Sequence, residues 1–283
     1  MPGTCCLGVD IETASPASEV YSRLGLKMLE REDIRATWYV TGRSMEMYPE
    51  AFRRADESDR VDIQAHTYAH LRLKTVWMRV PAGREYAGRR DHLVELGGSN
   101  EQIDADLARC QQVFIDALGR SAVGLTGPWG YYRGLGDRPD LLEIVHRHGF
   151  RILRTFARNE TDGEPIPLEW APFFYEPQGY PDMLEIMVHG YQDDYTFRSL
   201  TGLERAEDYV AYLRGLADRV AAEDLCWGLC SHDHDCHDEE GFAAKTAWIW
   251  EAVRYARSIG IRFVTATELY HEALARREDA ASP

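Results

Sequence analysis

The histidines His66 and His70 are four residues apart in the segment His66-Thr67-Tyr68-Ala69-His70. Residues with this spacing lie on one face of a helical turn, so the two imidazoles can converge on one cation. The preceding residues, 61–65, alternate between polar and apolar types and predict a short strand. Because a catalytic zinc ion usually takes about three protein ligands, the pair needs a third ligand from elsewhere in the chain.

Two acidic residues end the first predicted strand, residues 5–11. Asp10 and Glu12 are two positions apart, and side chains two apart in a strand share one face of the sheet. Most acidic pairs at strand ends are simply solvated. Here, however, the preceding run is fully apolar, as an inner barrel strand would be. The pair is therefore a candidate for chemistry.

A further polar tract follows the apolar strand predicted at 225–230. It reads Ser231-His232-Asp233-His234-Asp235-Cys236-His237. In an extended chain, alternate residues of this tract would face one side, which could build a second metal site. A solvated polar loop is the simpler interpretation.

Residues 122–136 combine a short predicted strand with a loop rich in glycine, proline and aromatic residues. Such a loop presents aromatic faces on a rigid backbone, which suits stacking on a sugar ring or another flat ligand. A structural turn explains the composition equally well. The candidate substrate-binding residues are Pro128, Trp129, Tyr131 and Arg133, together with Asp194.

Predicted strands and helices alternate along the whole chain. The predicted strands are 5–11, 35–42, 61–65, 151–155, 184–188, 225–230 and 261–265, with a short one at the start of 122–136, and the predicted helices are 17–31, 46–56, 101–118, 139–148, 203–222, 239–259 and 267–276. Seven or eight such alternations, with polar residues after the strands, predict an α/β fold, a distorted (β/α) barrel with its site at the carboxyl ends of the strands.

The barrel is predicted to form one domain over residues 1–276. Residues 71–100 interrupt the alternation and predict an inserted loop, which is either a lid or a partner contact. Residues 277–283 are polar and predict a frayed tail.

The composition limits the classes of partner. The chain of 283 residues carries a net charge of −15, which argues against nucleic acid or an anionic membrane surface as a partner. No apolar run is long enough for a membrane span, and the start lacks the features of a signal peptide. The six cysteines show no disulfide-like spacing. We therefore expect reduced thiols, a cytoplasmic location and a small-molecule substrate.

Together, three segments resemble the polysaccharide deacetylase superfamily, also called the NodB-homology or carbohydrate esterase family 4 group. They are Val9-Asp10-Ile11-Glu12, then Ala36-Thr37-Trp38-Tyr39-Val40-Thr41-Gly42, and then Asp62-Ile63-Gln64-Ala65 followed by the histidine pair. The spaced acids of the first segment are similar to those of a branch with intracellular peptidoglycan-deacetylase and allantoinase-type members. The likeness continues more weakly into the C-terminal region.

The resemblance implies a distorted barrel that binds one divalent metal, usually zinc. It places the metal ligands at Glu12, His66 and His70, the general base at Asp10 and the general acid at His232. Asp193 or Asp194 could be the acid that polarises His232. The chain departs from the family pattern at two places. Glu12 stands where relatives carry Asp, and Gly127 stands before Pro128 where relatives carry an Arg that holds the base carboxylate. Either the nearby Arg133 substitutes for that Arg, or the base is tuned differently.

These residues could hydrolyse an amide. A zinc ion lowers the pKa of its bound water and polarises the carbonyl, so that this water could attack while Asp10 takes its proton and His232 protonates the leaving amine. We expect an N-deacetylase acting on an amino sugar or a small sugar conjugate. The alternatives are a hydrolase of a small cyclic amide or ureide, and a non-catalytic carbohydrate-binding relative. A homo-oligomer with 71–100 as its contact is a further expectation.

Overall fold

One largely parallel sheet, with helices packed on its outside, organises the chain. The computed structural model describes residues 3–159 and 164–281. The strands are β1 (Thr4–Ile11), β2 (Ala36–Val40), β3 (Val61–Ala65), β4 (Val76–Arg79), β5 (His92–Glu95), β6 (Gly124–Tyr131), β7 (Ile152–Phe156), β8 (Phe173–Tyr175), β9 (Tyr180–Glu185), β10 (Cys226–His232) and β11 (Arg262–Val264). The helices are α1 (Pro16–Glu32), α2 (Gly42–Met47), α3 (Pro49–Asp56), α4 (Asn100–Leu118), α5 (Pro139–Arg147), α6 (Asp194–Thr201), α7 (Ala206–Glu223), α8 (Glu239–Ser258) and α9 (Ala266–Ala281), with a short 3₁₀ turn at Glu176–Gln178.

The main sheet runs in the order β10-β1-β2-β3-β6-β7-β9-β8, and β11 pairs with the start of β1. Its pairs are parallel except for β8 with β9. The segment after β9 joins the two sides of this sheet. Val188 donates its backbone N–H to Phe156 of β7, and His189 donates to Gly228 of β10, at 2.9 and 2.8 Å. The predicted distorted (β/α) barrel is therefore confirmed.

Capping residues mark the N-termini of helices that flank this barrel. The Ser15 hydroxyl accepts the N–H of Ala17 at the start of α1, and Pro16 occupies the first turn. Ser99 and Gln102 form a reciprocal capping box at the start of α4. Each cap determines the residue at which its helix begins. It therefore also determines where the loop before that helix ends.

The elements differ from the sequence expectation at three places. The single helix expected over 46–56 is two helices, α2 and α3, because Pro49 starts a new helix after Tyr48. The insertion at 71–100 contains an antiparallel ribbon, β4 with β5. The last helix continues to Ala281, past the expected end at 276, and residues 282–283 of the expected frayed tail lie outside the described residues.

In the part of the chain that the structure describes, no helix combines the length and apolar character that crossing a bilayer requires. All six cysteines are free thiols, and five of them are buried. Four of them lie in β1 and β10, Cys110 lies in α4 and Cys236 lies in the loop after β10.

Candidate active site

Asp10 and His232 face each other at the carboxyl ends of two adjacent strands. They are register partners in the parallel pair of β1 with β10. His232 Nε2 lies 3.8 Å from Asp10 Oδ2, and each side chain is only 10% exposed. Both residues line a cavity of about 630 Å³, which also has Glu12, His70 and Trp129 in its wall. The predicted base and acid thus share one cavity.

Glu12 is surrounded by imidazoles. Its Oε2 lies 2.8 Å from His66 Nε2 and 2.9 Å from His70 Nε2. The ligand atoms of these three residues all lie within 4.8 Å of one another. Burial raises the pKa of Glu12, but hydrogen bonds from the surrounding histidines outweigh it and hold the pKa well below its usual range. The carboxylate is therefore ionised and available to a cation.

The histidine pair does not lie on a helical turn, which corrects the local expectation. The segment is an irregular turn in which Thr67 and His70 have φ angles of 53° and 56°. The Asp106 carboxylate of α4 accepts the N–H groups of Tyr68 and Ala69, at 2.6 and 3.0 Å, and so fixes this conformation. The two rings still meet, with centroids 4.8 Å apart.

The hydrogen bonds of His66 provide a test of whether this site suits a cation. Its Nδ1 lies 3.3 Å from the carbonyl oxygen of Thr126, which can only accept a hydrogen bond. A neutral imidazole has one N–H, so Nδ1 carries it and Nε2 presents a lone pair toward the Glu12 carboxylate. Two acceptors facing each other repel unless the ring is protonated or a cation joins them. The donor set, one carboxylate and two imidazoles, is one that zinc accepts, so these residues fit a divalent ion.

Asp10 is held by an arginine that the sequence analysis did not identify. Arg154 Nη1 of β7 donates to Asp10 Oδ1 at 2.8 Å and to Thr126 Oγ1 at 3.0 Å. A Cβ at Gly8 would lie 2.9 Å from Arg154 Nε, so glycine at this position leaves room for the guanidinium. The signal was present, because Arg154 follows Ile152 and Leu153 inside a predicted strand, and a buried arginine usually requires an acidic partner.

The geometry explains why no arginine precedes Pro128. A Cβ at Gly127 would lie 2.7 Å from the Tyr131 ring, so no side chain fits there. Arg133 does not contact Asp10 either; its guanidinium lies over the Tyr132 ring, 5.0 Å from the centroid. Arg154 therefore takes the position beside the carboxylate that the sequence analysis left open for Arg133.

His232 has an acidic neighbour on its other side. Asp193 Oδ2 lies 3.4 Å from His232 Nδ1, although this contact lacks the geometry of a hydrogen bond. Burial lowers the pKa of His232, and the charges of Glu12 and Asp193 oppose that effect. Burial raises the pKa of Asp193, but the charges of His232 and Lys245 and the hydrogen bonds from Thr196 together outweigh it and lower that pKa overall. Of the two acids considered, Asp193 is the one beside His232.

Asp194 has a different role in the cavity wall. Its carboxylate accepts from Lys245 Nζ at 3.0 Å and from Arg198 Nη2 at 2.7 Å. Trp129 also lines the cavity. Pro128, Tyr131 and Arg133 are not among the lining residues, and the Tyr131 hydroxyl instead accepts the backbone N–H of Leu73 at 2.8 Å.

The tract after His232 belongs to the same site. His234 Nε2 lies 2.8 Å from Glu12 Oε1, and Asp233 Oδ1 accepts the backbone N–H of Glu12 at 3.1 Å. Cys236 is buried, with Sγ 3.5 Å from the carbonyl oxygen of His234. His232 and His234 face the cavity, as the alternation implied, and both lie beside the acids of β1. The ligand atoms of His232 lie close to those of Asp10 and Cys230 rather than to those of other residues in the tract.

Comparisons with known proteins agree with this fold. The sequence profile of the family described as polysaccharide deacetylase matches residues 10–152 of 283, just over half of the chain. No curated protein matches the chain.

Solved structures are similar at low sequence identity. A protein of Mycobacterium smegmatis named for the polysaccharide deacetylases has a TM-score of 0.66 at 16% identity, over 98% of this chain and 92% of that one. PuuE allantoinase has 0.66 at 15%, over 95% and 89%. A Pseudomonas aeruginosa PAO1 protein, also named for the polysaccharide deacetylases, has the same values, 0.66 at 15% over 95% and 89%.

The match of the family profile begins at Asp10 and includes Glu12 and both histidines of the pair, and it ends at residue 152, before Arg154, Asp193 and His232. Members of this family are hydrolases that act on carbon–nitrogen bonds. The chain belongs to the polysaccharide deacetylase family.

Proposed function

We propose that this protein is a metal-dependent amide hydrolase that removes an N-acetyl group from an amino sugar or a small sugar conjugate. The observation that carries the proposal is the convergence of two sets of residues on one cavity. Asp10 and His232 face each other across adjacent strands, and Glu12, His66 and His70 cluster beside Asp10. Base, acid and metal ligands would thus act on one bound amide.

In this proposal each side chain has one task. Asp10 accepts a proton from the attacking water, and Arg154 keeps its carboxylate in place through the 2.8 Å hydrogen bond. His232 gives a proton to the leaving amine from the other side of the cavity, with Asp193 orienting its ring. A divalent cation held by Glu12, His66 and His70, with zinc as the first candidate, would lower the pKa of the attacking water and polarise the amide carbonyl.

The cavity favours a small substrate with a flat or ring-shaped part. Its volume of about 630 Å³ suits a mono- or disaccharide or a sugar conjugate better than a long polymer. Tyr86, Trp129 and Tyr195 form an aromatic wall, with Tyr86 5.9 Å from the Trp129 ring and 5.7 Å from the Tyr195 ring. Aromatic faces stack on sugar rings. We propose a cytoplasmic N-acetylated sugar.

A second candidate is hydrolysis of a small cyclic amide or ureide. The same aromatic wall would accept a planar ring, and one structural neighbour is named an allantoinase. The two functions use the same Asp10 and His232 chemistry and differ in the product. N-deacetylation releases acetate, whereas hydrolysis of a cyclic amide opens a ring and releases no acid fragment.

A substrate panel tests the proposal. Purified protein loaded with zinc is assayed with N-acetylglucosamine, N,N′-diacetylchitobiose and a nucleotide-linked N-acetylglucosamine for acetate, and with allantoin, hydantoin and dihydrouracil for ring opening. Acetate release that requires zinc supports the first candidate, and ring opening without acetate supports the second. Asp10→Asn should abolish either activity. Activity that survives Asp10→Asn, or no activity on either set, contradicts the proposed function.

Self-association through the insertion stays a prediction. The outer face of the β4–β5 ribbon exposes Trp77, Val94 and Leu96, at 46%, 51% and 70%. Trp77 and Val94 are cross-strand partners, so they form a continuous apolar patch. Light scattering measures the molar mass of the wild type and of the double variant Trp77→Ser, Val94→Ser in solution. An oligomeric wild type and a monomeric variant would support self-association through this face.

A further inference from the structure

Glu12 is a longer ligand than the aspartate that its family resemblance implies, and it therefore needs more restraint. A glutamate has one more rotatable bond, and fixing a long polar side chain costs conformational entropy. The two oxygens of Glu12 have different neighbours. Oε2 lies beside His66 and His70, whereas Oε1 lies 2.8 Å from His234 Nε2 alone. One oxygen thus faces the proposed cation, and the other has its own partner.

The loop that carries His234 also fixes the backbone of Glu12. Asp233 is completely buried, and its Oδ1 accepts the Glu12 N–H at 3.1 Å. Its Oδ2 accepts the hydroxyls of Thr13 and Ser18, each at 2.7 Å. Two consecutive residues therefore hold Glu12, one at its amide and one at its carboxylate.

The His234 ring is itself held in a fixed orientation. It stacks on His232 with ring centroids 5.0 Å apart and planes 17° from parallel. His234 Nε2 is not close enough to His66 and His70 to belong to the three-residue ligand group, which comprises Glu12 and those two histidines. Its contact is with the carboxylate oxygen that points away from them.

We infer that His234 is a positioning residue for Glu12. It donates a hydrogen bond from Nε2 to Oε1, which prevents the carboxylate from rotating and presents Oε2 as a single ligand atom beside His66 and His70. This inference rests on the metal site of the proposed function, and it explains how a glutamate performs the role of a shorter aspartate. Hydrogen bonds to ligating carboxylates typically change metal affinity by about 10- to 100-fold.

Zinc affinity, measured by competition with a chromophoric chelator, tests this inference without an activity assay. His234→Ala should weaken zinc binding by about 10- to 100-fold. His234→Gln should stay close to the wild type, because the glutamine amide reaches as far as Nε2 and donates the same hydrogen bond. His237→Ala is the matched control, since His237 is exposed in the same loop. Circular dichroism and thermal unfolding verify that each variant is folded.

A double-mutant cycle gives an independent test. An aspartate at position 12 is one methylene shorter and leaves the hydrogen bond to His234 out of reach. In the Glu12→Asp background, His234→Ala should therefore lower zinc affinity by less than about twofold further, because the two residues act through one contact.

The outcomes separate this inference from the proposed function. A His234→Gln variant as weak as His234→Ala would overturn the positioning role, since the imidazole itself would then be required. Unchanged affinity in His234→Ala, beside tight binding by the wild type, would overturn it and leave the metal site standing. A wild-type protein that binds no zinc would remove the metal site and the inference together.

Discussion

Arg154 and Asp10 form a buried ion pair between β7 and β1, two strands that are not neighbours in the sheet. The distance between Arg154 Nη1 and Asp10 Oδ1 is 2.8 Å, and the two side chains are 3% and 10% exposed. The guanidinium also lies over the Tyr39 ring, 4.8 Å from its centroid. The pair crosses the inside of the barrel, so it orients the proposed base and joins distant strands at once.

Replacing Arg154 should damage both catalysis and stability. Arg154→Ala leaves a buried carboxylate without its partner, which should lower the free energy of unfolding by about 3–5 kcal/mol. Arg154→Lys keeps the charge but loses the planar fork, and kcat should fall by about 100-fold as the base loses its orientation. Urea unfolding and acetate release measure the two effects. Arg133→Ala is the control, and a loss of kcat there equal to that of Arg154→Lys would contradict the assignment.

Replacing Asp193 should move the alkaline limb of the pH–rate profile. His232 must be protonated to act as the acid, so kcat is lost as the pH rises through the pKa of His232. Burial lowers that pKa, and the Asp193 charge opposes the decrease. Asp193→Asn removes the opposing charge, so the limb should move to lower pH. Asp194→Asn should leave the position of the limb unchanged, because Asp194 contacts Arg198 and Lys245. A limb that moves upward in Asp193→Asn would refute this role of His232.

His189 should make stability depend on pH below neutrality. It is buried, its Nδ1 accepts the Gly228 N–H and its Nε2 donates to the Trp170 carbonyl, so only the neutral ring fits. Burial lowers its pKa to about 4. The unfolded chain binds this proton near pH 6.5, so stability is complete above that pH and is lost as the pH falls toward 4, by up to about 3 kcal/mol.

The comparison of wild type with His189→Gln measures that contribution. Urea unfolding at several pH values between 7 and 4 should show a steeper loss of stability for the wild type, because glutamine does not titrate. Parallel curves for the two proteins would show that His189 does not supply the pH dependence.

Tyr131 and Trp129 should respond differently to substitution, although both lie in β6. Tyr131→Phe leaves the buried N–H of Leu73 without its acceptor, which should cost about 1–3 kcal/mol of stability and leave KM unchanged. Trp129→Ala removes part of the cavity wall and should raise KM by about tenfold through lost stacking. Steady-state kinetics and thermal unfolding distinguish the two. A higher KM in Tyr131→Phe with unchanged stability would place Tyr131 at the substrate.

The alternation of strands and helices could be predicted because it is local. Apolar runs, Pro16 and the Ser99 cap each determine structure within a few residues. The cluster of Glu12 with His66 and His70 was expected from the family resemblance, and their placement after predicted strands is consistent with it. The contacts of Asp10 with Arg154 and of Glu12 with His234 could not be predicted in this way, because the partners are 144 and 222 residues apart in the sequence. Only the order of strands in the sheet brings such residues together.

The helical spacing also gave a wrong prediction at one turn, because contacts with a distant helix determine the backbone conformation there. The spacing of His66 and His70 suggested a helical turn, but the Asp106 carboxylate binds the intervening amides and holds Thr67 and His70 at positive φ. The sequence of the turn does not reveal this conformation, because the residue that determines it, Asp106, lies in α4.

Zinc content, measured by mass spectrometry after gel filtration of zinc-treated protein, most directly tests whether Glu12, His66 and His70 hold a cation. We predict about one zinc ion per chain for the wild type and none for His66→Ala, whose fold is verified by circular dichroism. Equal zinc content in the two proteins, or none in the wild type, would contradict the central claim.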